Sequence, residues 1–193
     1  MSYSEKYWSK QYQKKQTGWD IGYVSTPIKE YIDQLTNKSI KILIPGAGNS
    51  YEVEYLHING FTNVYLLEFS DAPIANFLSR VPDFPRNHIV QEDFFKHQEN
   101  YDLIIEHTFF SSIRPENRLE YVNKTFDLLK PKGVLVGLLF CVDFKNDFPP
   151  FGGNKEIYTG LFSKKYDIKI LESAYNSIKP RMGSEFFFKM TKK

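Results

Sequence analysis

The sequence predicts an α/β fold, organised as a doubly wound, mostly parallel sheet. Short apolar runs rich in β-branched residues alternate with amphipathic helical segments between residues 40 and 140. This alternation is typical of strands joined by right-handed helical crossovers. Two more apolar runs, 166–175 and 184–191, follow with a hairpin-length loop between them. We therefore expect a seven-stranded sheet, with five parallel strands and an antiparallel C-terminal edge pair.

The first predicted strand contains Ile40 and the run Ile42–Ile44, and it ends at Pro45. A continuous apolar run of this length suits a strand that is covered on both faces. Gly46 and Gly48 then allow a tight turn that brings bare N–H groups close to a ligand. Asn49 or Ser50 is the expected cap of the next helix.

The remaining elements are predicted from periodicity and turn signals. Strands are expected over 63–69, from 88 into the turn at 92–95, and over 101–106 and 134–140. Helices are expected over 4–14, 27–35, 51–57, 71–80, 115–129 and 155–162. In helix 115–129 we expect Leu119, Val122, Phe126 and Leu129 to share the buried face, with a turn at 130–133 after it.

Composition limits the functional classes. The 25 basic and 23 acidic side chains nearly balance, so charge does not indicate a nucleic-acid or membrane-surface partner. The N-terminal residues lack the apolar core of a signal peptide, and no run is long enough to span a bilayer. Cys141, the one cysteine, is expected to be a buried strand residue. We expect a cytoplasmic monomer with one domain, 1–193, whose residues 1–37 form a helical and aromatic segment.

Polar or glycine residues follow four successive predicted strands. These are the glycines at 46 and 48, then Glu68, then Asp93, and then Glu106 with His107. In an open α/β sheet, ligands bind beyond the carboxyl ends of the strands, where an acid about 20 residues past the glycines binds ribose hydroxyls. The pattern favours an adenosine-containing ligand, either NAD or S-adenosylmethionine.

A dinucleotide site normally has a third glycine for close approach of the helix, but position 51 is Tyr. The chain also lacks the Gly-Lys-Ser/Thr of a phosphate-binding loop. Tyr51 argues against an NAD-dependent oxidoreductase, which we keep as an alternative. A non-catalytic cofactor-binding module is a second alternative.

Several motifs, in order, resemble the class I S-adenosylmethionine-dependent methyltransferases, which have a Rossmann-like fold. More narrowly, they resemble the thiopurine methyltransferase family and its thiol and halide methyltransferase branch. The resemblance includes three N-terminal aromatics, Trp8, Tyr12 and Trp19, which in that family close over cofactor and substrate. The other motifs are Ile44–Gly48, Leu67–Ser70, Glu92–Phe95, Ile105–Phe110 and Leu128–Gly133.

The resemblance implies S-adenosylmethionine as the cofactor and a small-molecule acceptor, with a thiol, sulfide-like or halide nucleophile as the leading hypothesis. Such a nucleophile needs alignment rather than a metal. The implied substrate-binding residues are Trp8, Trp19 and Phe151, and the candidate catalytic residues are His107, Tyr158 and Arg181. The implied cofactor-binding residues are Trp8, Tyr12, Trp19, Gly46, Ala47, Gly48, Glu68, Phe69, Asp93, Phe94, Glu106 and His107.

Overall fold

The protein, as a computed structural model, is described over residues 3–193. Met1 and Ser2, the first residues of the predicted segment 1–37, lie outside the described residues. Within 3–193, strands alternate with helices as the periodicity predicts. The α-helices are α1 (Glu5–Gln13), α2 (Thr26–Asp33), α3 (Tyr51–Ile58), α4 (Asp71–Arg80), α5 (Arg118–Leu128) and α6 (Lys155–Phe162).

The strands of the described chain form one seven-stranded sheet in the order β3-β2-β1-β4-β5-β7-β6. The pairings among β1 to β5 are parallel, whereas β7 runs antiparallel to both β5 and β6. This confirms the mostly parallel sheet and the antiparallel C-terminal pair. The strands are β1 (Ile42–Pro45), β2 (Val64–Leu67), β3 (Ile89–Val90), β4 (Tyr101–His107), β5 (Leu129–Phe140), β6 (Tyr166–Ser173) and β7 (Glu185–Lys192).

Alternate side chains of the central strands enter two separate cores. Leu43 of β1 packs in the core that α5 and α6 cover, whereas Ile42 and Ile44 pack in the core that α2, α3 and α4 cover. Period-two alternation sends neighbouring side chains to opposite faces of a sheet. Helices therefore cover both faces, and a ligand can reach the sheet at the carboxyl ends of its strands.

Strand order reverses between β1 and β4, because β2 and β3 continue on one side and β5 on the other. At such a switch point, the segments that leave the two neighbouring strands run in different directions, and a crevice opens between them. The residues after β1 and β4 are the glycine turn and the segment that begins at Thr108. The fold thus brings Gly46 and Thr108 to the edge where the sequence predicts a ligand.

Three local predictions were wrong. Leu119 is 57% exposed, because Tyr121 and Leu128 accompany the correctly predicted Val122 on the buried face of α5. The expected turn at 130–133 is a bulge inside β5, where Lys132 has a φ of 64° and the pairing with β4 shifts. Cys141 lies just past the end of β5 and is half-buried, with Sγ 3.6 Å from the carbonyl oxygen of Gly183.

Candidate functional site

The glycine turn after β1 has the left-handed backbone that only glycine adopts at little cost. Gly46 and Gly48 have φ values of 55° and 52°. A Cβ atom on Gly46 would lie 2.2 Å from the ring of Phe109, so the absence of a side chain lets that ring pack directly on the turn. The Ala47 N–H donates to the carbonyl of Leu67, which ties the turn to β2.

Glu68 lies immediately after β2, with only 6% of its surface exposed. Its Oε2 accepts from the Gly48 N–H at 3.0 Å, and its Oε1 accepts from the Ser70 N–H at 2.9 Å. Burial raises the pKa of this carboxyl above its ordinary value, although the two N–H donors oppose the shift. Each carboxylate oxygen keeps a lone pair, so the group can still accept from a ligand's hydroxyl pair.

The turn after β3 is organised around Asp93. Its Oδ1 accepts from the Phe95 N–H at 3.0 Å, which leaves Oδ2 free to accept from a ligand. Buried His97 braces the same turn, because its ring nitrogens contact Glu92 Oε1 at 2.5 Å and the Tyr101 hydroxyl at 2.8 Å. The turn is therefore held from below and presents a carboxylate to the crevice.

Three aromatic side chains of the N-terminal segment pack together above the glycine turn. The Trp8 and Trp19 rings meet edge to face at 5.2 Å between centroids, and Tyr12 meets Trp19 at 5.8 Å. A Cβ atom on Gly48 would lie 2.8 Å from the Tyr12 hydroxyl, so α1 reaches down to the turn itself. These three residues, which we call the aromatic lid, cover the carboxyl edge of the sheet.

A cavity of about 620 Å³ lies between the aromatic lid and the strand ends, within the range of small-molecule sites. A smaller cavity, of about 40 Å³, adjoins it and shares Trp8, Gly46, Glu68 and Phe69 in its lining. Asp93 and Phe94 line the smaller one. The predicted residues that line the larger one are Trp8, Tyr12, Trp19, Gly46, Glu68, Phe69 and Arg181.

The model of the family described as "Thiopurine S-methyltransferase (TPMT)" matches residues 3–190, nearly the whole chain. The chain belongs to this family. Membership confirms the resemblance drawn from the motifs, and with it the expected cofactor, S-adenosylmethionine.

Two plant proteins are similar to this chain in sequence. The chain is 28% identical over 149 residues to "Probable thiol methyltransferase 2" of Arabidopsis thaliana, an alignment that covers 75% of this chain and 66% of that protein. It is also 28% identical to "Thiocyanate methyltransferase 1" of Arabidopsis thaliana, with 75% and 65% of the two chains covered. The match thus spans just under two thirds of these relatives.

Solved structures share the fold at low sequence identity. The Burkholderia thailandensis 1,6-didemethyltoxoflavin-N1-methyltransferase superposes with a TM-score of 0.79 at 12% identity, covering 98% of this chain and 87% of that one. The TehB-like SAM-dependent methyltransferase of Corynebacterium glutamicum superposes with a TM-score of 0.68 at 14% identity, covering 98% of both chains. They confirm the class I methyltransferase fold.

In this family member, Glu106 does not line either cavity. It is fully buried, where its Oε1 accepts from the Phe110 N–H at 2.8 Å and its Oε2 accepts from the Tyr121 hydroxyl at 2.6 Å. Burial raises the pKa of this carboxyl to about 7, against the lowering effect of the two donors. The structure therefore shows Glu106 anchoring the segment that carries Phe109, and its predicted contact with the cofactor stays a prediction.

His107 lies behind the cavity, in a chain of polar contacts with Arg181. Its Nδ1 is 2.8 Å from Glu52 Oε1, and its Nε2 is 3.1 Å from Arg181 Nη1. Arg181 also contacts Glu185 Oε1 at 3.3 Å and donates from Nη2 to the Trp19 carbonyl at 2.7 Å. The network links α3, β4 and β7 to the aromatic lid, with Arg181 as the member that reaches the cavity.

Four other predicted residues lie outside the cavity lining. The Tyr158 hydroxyl is committed to the Phe140 carbonyl at 2.6 Å, and burial raises the pKa of Tyr158 to about 12. Phe151 is 8% exposed, with its ring 6.4 Å from that of Tyr3. Ala47 and Gly48 are part of the glycine turn, and the cofactor contact predicted for them would be made by their backbone atoms.

Sequence reasoning missed several residues that line the larger cavity. Phe109 could have been found, because it lies in the apolar loop directly after a strand that ends on polar groups. Gln11 lies one residue before Tyr12 on α1, and helical spacing alone does not show that it points to the cavity. The others are Tyr7, Gln16, Gly18, Thr108, Ser111, Ser112, Phe140, Phe144, Pro180 and Ser184. Phe148, Pro149 and Pro150 also line the cavity, and they belong to the loop 148–154 that the resemblance implies for acceptor selectivity.

Proposed function

We propose that this protein transfers the methyl group of S-adenosylmethionine to a small-molecule acceptor that carries a soft nucleophile. A thiol or sulfide-like sulfur is the leading class, with halide as the other member. One observation carries the proposal: the carboxylate of Glu68 is fixed between two backbone N–H groups, directly beside the glycine turn and beneath the aromatic lid.

The residues at the strand ends fit this cofactor. Gly46 lines the cavity and is placed beside the methionine portion, and Glu68 is placed to accept from the ribose hydroxyls. Asp93 Oδ2 and the ring of Phe94 are available to the adenine. The cofactor, when bound, supplies an electrophilic methyl on a sulfonium, and aromatic faces such as those of Trp8 and Trp19 favour a cation.

The other end of the cavity suits an acceptor that needs alignment more than activation. Its walls include Phe140, Phe144, Pro149 and Pro150, which exclude water from the reacting atoms. A thiolate or halide ion is already a nucleophile, so the transfer requires neither a metal nor a strong general base. Arg181 lines the cavity with its guanidinium beside the Glu185 carboxylate, and its N–H donors favour an acceptor that can receive hydrogen bonds.

The names of the plant relatives, a thiol and a thiocyanate methyltransferase, support sulfur as the accepting atom. The NAD-dependent alternative gains no comparable support, since Tyr51 begins α3 where a third glycine would be needed and its ring lies against Arg80. A cytoplasmic location, a monomeric state and a single domain remain predictions from the sequence. In residues 3–193, no helix is both long and apolar enough to cross a membrane.

Calorimetry with S-adenosylmethionine, S-adenosylhomocysteine and NAD tests the cofactor directly. We expect saturable binding of the first two and none of the third. Turnover is then measured as S-adenosylhomocysteine release with hydrosulfide, thiocyanate, iodide and thiophenol. Binding without turnover on any of these would favour the non-catalytic module, and absence of cofactor binding would overturn the proposal.

A further inference from the structure

Arg118, the first residue of α5, is a buried cation without a matching anion. Its side chain is only 2% exposed, and no carboxylate oxygen of residues 3–193 lies within 4.0 Å of its guanidinium. The guanidinium lies over the ring of Phe110, 4.8 Å from the centroid, and its Nε has no hydrogen-bond partner in the described chain. Burying an unpaired charge is costly, so a residue kept in this state calls for an explanation.

The guanidinium donates to one short stretch of backbone. Its Nη2 is 3.1 Å from the Phe151 carbonyl oxygen and 3.0 Å from that of Gly152. The Phe151 N–H donates in turn to the Ser111 carbonyl at 2.7 Å. The stretch belongs to residues 141–154, which connect β5 to α6 without regular secondary structure. Arg118 therefore supplies hydrogen bonds that neither strand nor helix provides there.

The residues just before this anchor form part of the cavity. Phe148, Pro149 and Pro150 line the larger cavity only, whereas Asp93 lines the smaller one. Two prolines in a row have no N–H to donate, so they cannot hold themselves against a neighbouring strand. Gly152 fits tightly behind them, because a Cβ atom there would lie 1.6 Å from the Val142 carbonyl oxygen. Their position depends on how the following two residues are held.

We propose that Arg118 is a positioning residue for the methyl acceptor: by holding the carbonyls of Phe151 and Gly152, it fixes the proline wall against which the acceptor lies. The inference rests on the proposed function, because it assigns the proline wall to the acceptor. Arg118 touches neither cavity, so its effect passes through the wall. It separates acceptor alignment from cofactor binding, which uses the opposite end of the site.

The test compares Arg118→Met and Arg118→Lys with a matched control, Arg86→Met, which alters an exposed arginine just before β3 that lines neither cavity. Burying an unpaired charge is itself costly, and an apolar side chain of similar length removes that cost, so the Met variant should fold. We expect the KM for the best acceptor among hydrosulfide, thiocyanate, iodide and thiophenol to rise about tenfold or more in Arg118→Met. The calorimetric Kd for S-adenosylhomocysteine should stay within about twofold, and Arg118→Lys should recover part of the loss.

A second readout does not depend on turnover. Hydrogen exchange of the peptide that contains the Phe151 amide should be at least about tenfold faster in Arg118→Met than in the wild-type protein, and unchanged in Arg86→Met. Gly152→Ala, which displaces the same backbone while Arg118 is intact, should reproduce both effects. Equal exchange rates in the variant and the wild type would overturn the proposal, as would cofactor affinity falling in parallel with acceptor KM. Neither result bears on cofactor binding by the wild-type protein, so failure here is distinct from failure of the proposed function.

Discussion

The two ends of the cavity are built in different ways. At the cofactor end, Glu68 directly follows β2, and Asp93 lies three residues after the last residue of β3. Their carboxylates accept from backbone N–H groups two residues further along the chain, and Glu68 also accepts from Gly48 beside the neighbouring strand. At the acceptor end, the walls come from α1, from the connection between β5 and α6, and from the segment before β7. Long-range side-chain contacts, such as Arg181 to Trp19 and Arg118 to Phe151, hold those parts together. Local geometry therefore forms the first end, and tertiary contacts form the second.

The largest expected effect isolates the cofactor end. Glu68→Ala removes the acceptor that we propose for the ribose hydroxyls, and a hydrogen bond to a charged group is worth roughly 1.5–3 kcal/mol. We expect the Kd for S-adenosylhomocysteine to rise at least about a hundredfold by calorimetry. Glu99→Ala, which removes an exposed carboxylate paired with Lys41, should leave the Kd unchanged. Equal losses in the two variants would mean that Glu68 does not contact the cofactor.

The next effect concerns Glu106, the buried carboxyl group that anchors the segment carrying Phe109. Its pKa is raised from 4.5 to about 7, so between these pH values the folded state holds a proton that the unfolded chain releases. The protonation of Glu106 makes its full contribution to the free energy of unfolding below about pH 4.5. This contribution, up to roughly 3 kcal/mol, is lost as the pH rises to about 7. Urea unfolding from pH 5 to pH 8 should show this loss in the wild type. The Glu106→Gln protein should lack that part of the slope, and parallel profiles would contradict the assignment.

Substitutions at two glycines distinguish the cost of backbone strain from the cost of side-chain overlap at the cofactor end. Gly46→Ala and Gly60→Ala both place alanine at a positive φ, which costs about 1–2 kcal/mol. Nothing lies within 4 Å of a Cβ on Gly60, whereas one on Gly46 would overlap the Phe109 ring. We expect Gly46→Ala to lower the free energy of unfolding by about 1–3 kcal/mol more than Gly60→Ala. Only Gly46→Ala should weaken cofactor binding. If the two variants lose the same free energy of unfolding and the same cofactor affinity, the Phe109 ring moves aside at little cost.

The smallest expected effect lies in the aromatic lid. Arg181→Lys keeps the charge but removes the planar group that donates to the Trp19 carbonyl, a hydrogen bond worth about 0.5–1.5 kcal/mol. Calorimetry should show a Kd for S-adenosylhomocysteine that is about three- to tenfold higher. Tryptophan fluorescence should respond less to the ligand, because Trp19 is held less firmly. Lys179→Met, at an exposed neighbouring position, is the control and should change neither quantity.

The same contrast explains what the sequence could predict. The strands, the glycine turn and the acids at their ends were predicted correctly in place, because a buried strand and the residue after it are encoded within a few positions. Leu119 was misplaced because several faces of a short helix carry apolar residues, and only the packed sheet selects one. Arg118 was not predicted at all, since the carbonyls it holds are more than 30 residues away in the chain. Likewise, nothing near His107 indicates that Glu52 and Arg181 surround it.

The position of β7 has a consequence for synthesis of the chain. Although β7 follows every other strand in sequence, it lies between β5 and β6 and pairs with both. Until residues 185–192 have left the ribosome, residues 134–140 of β5 lack a partner strand on the side where β7 will pair. β6 likewise lacks the strand with which it pairs. Exposed edges of this kind recruit strands from other chains. A nascent chain that stalls just before β7 is therefore the species most prone to aggregate.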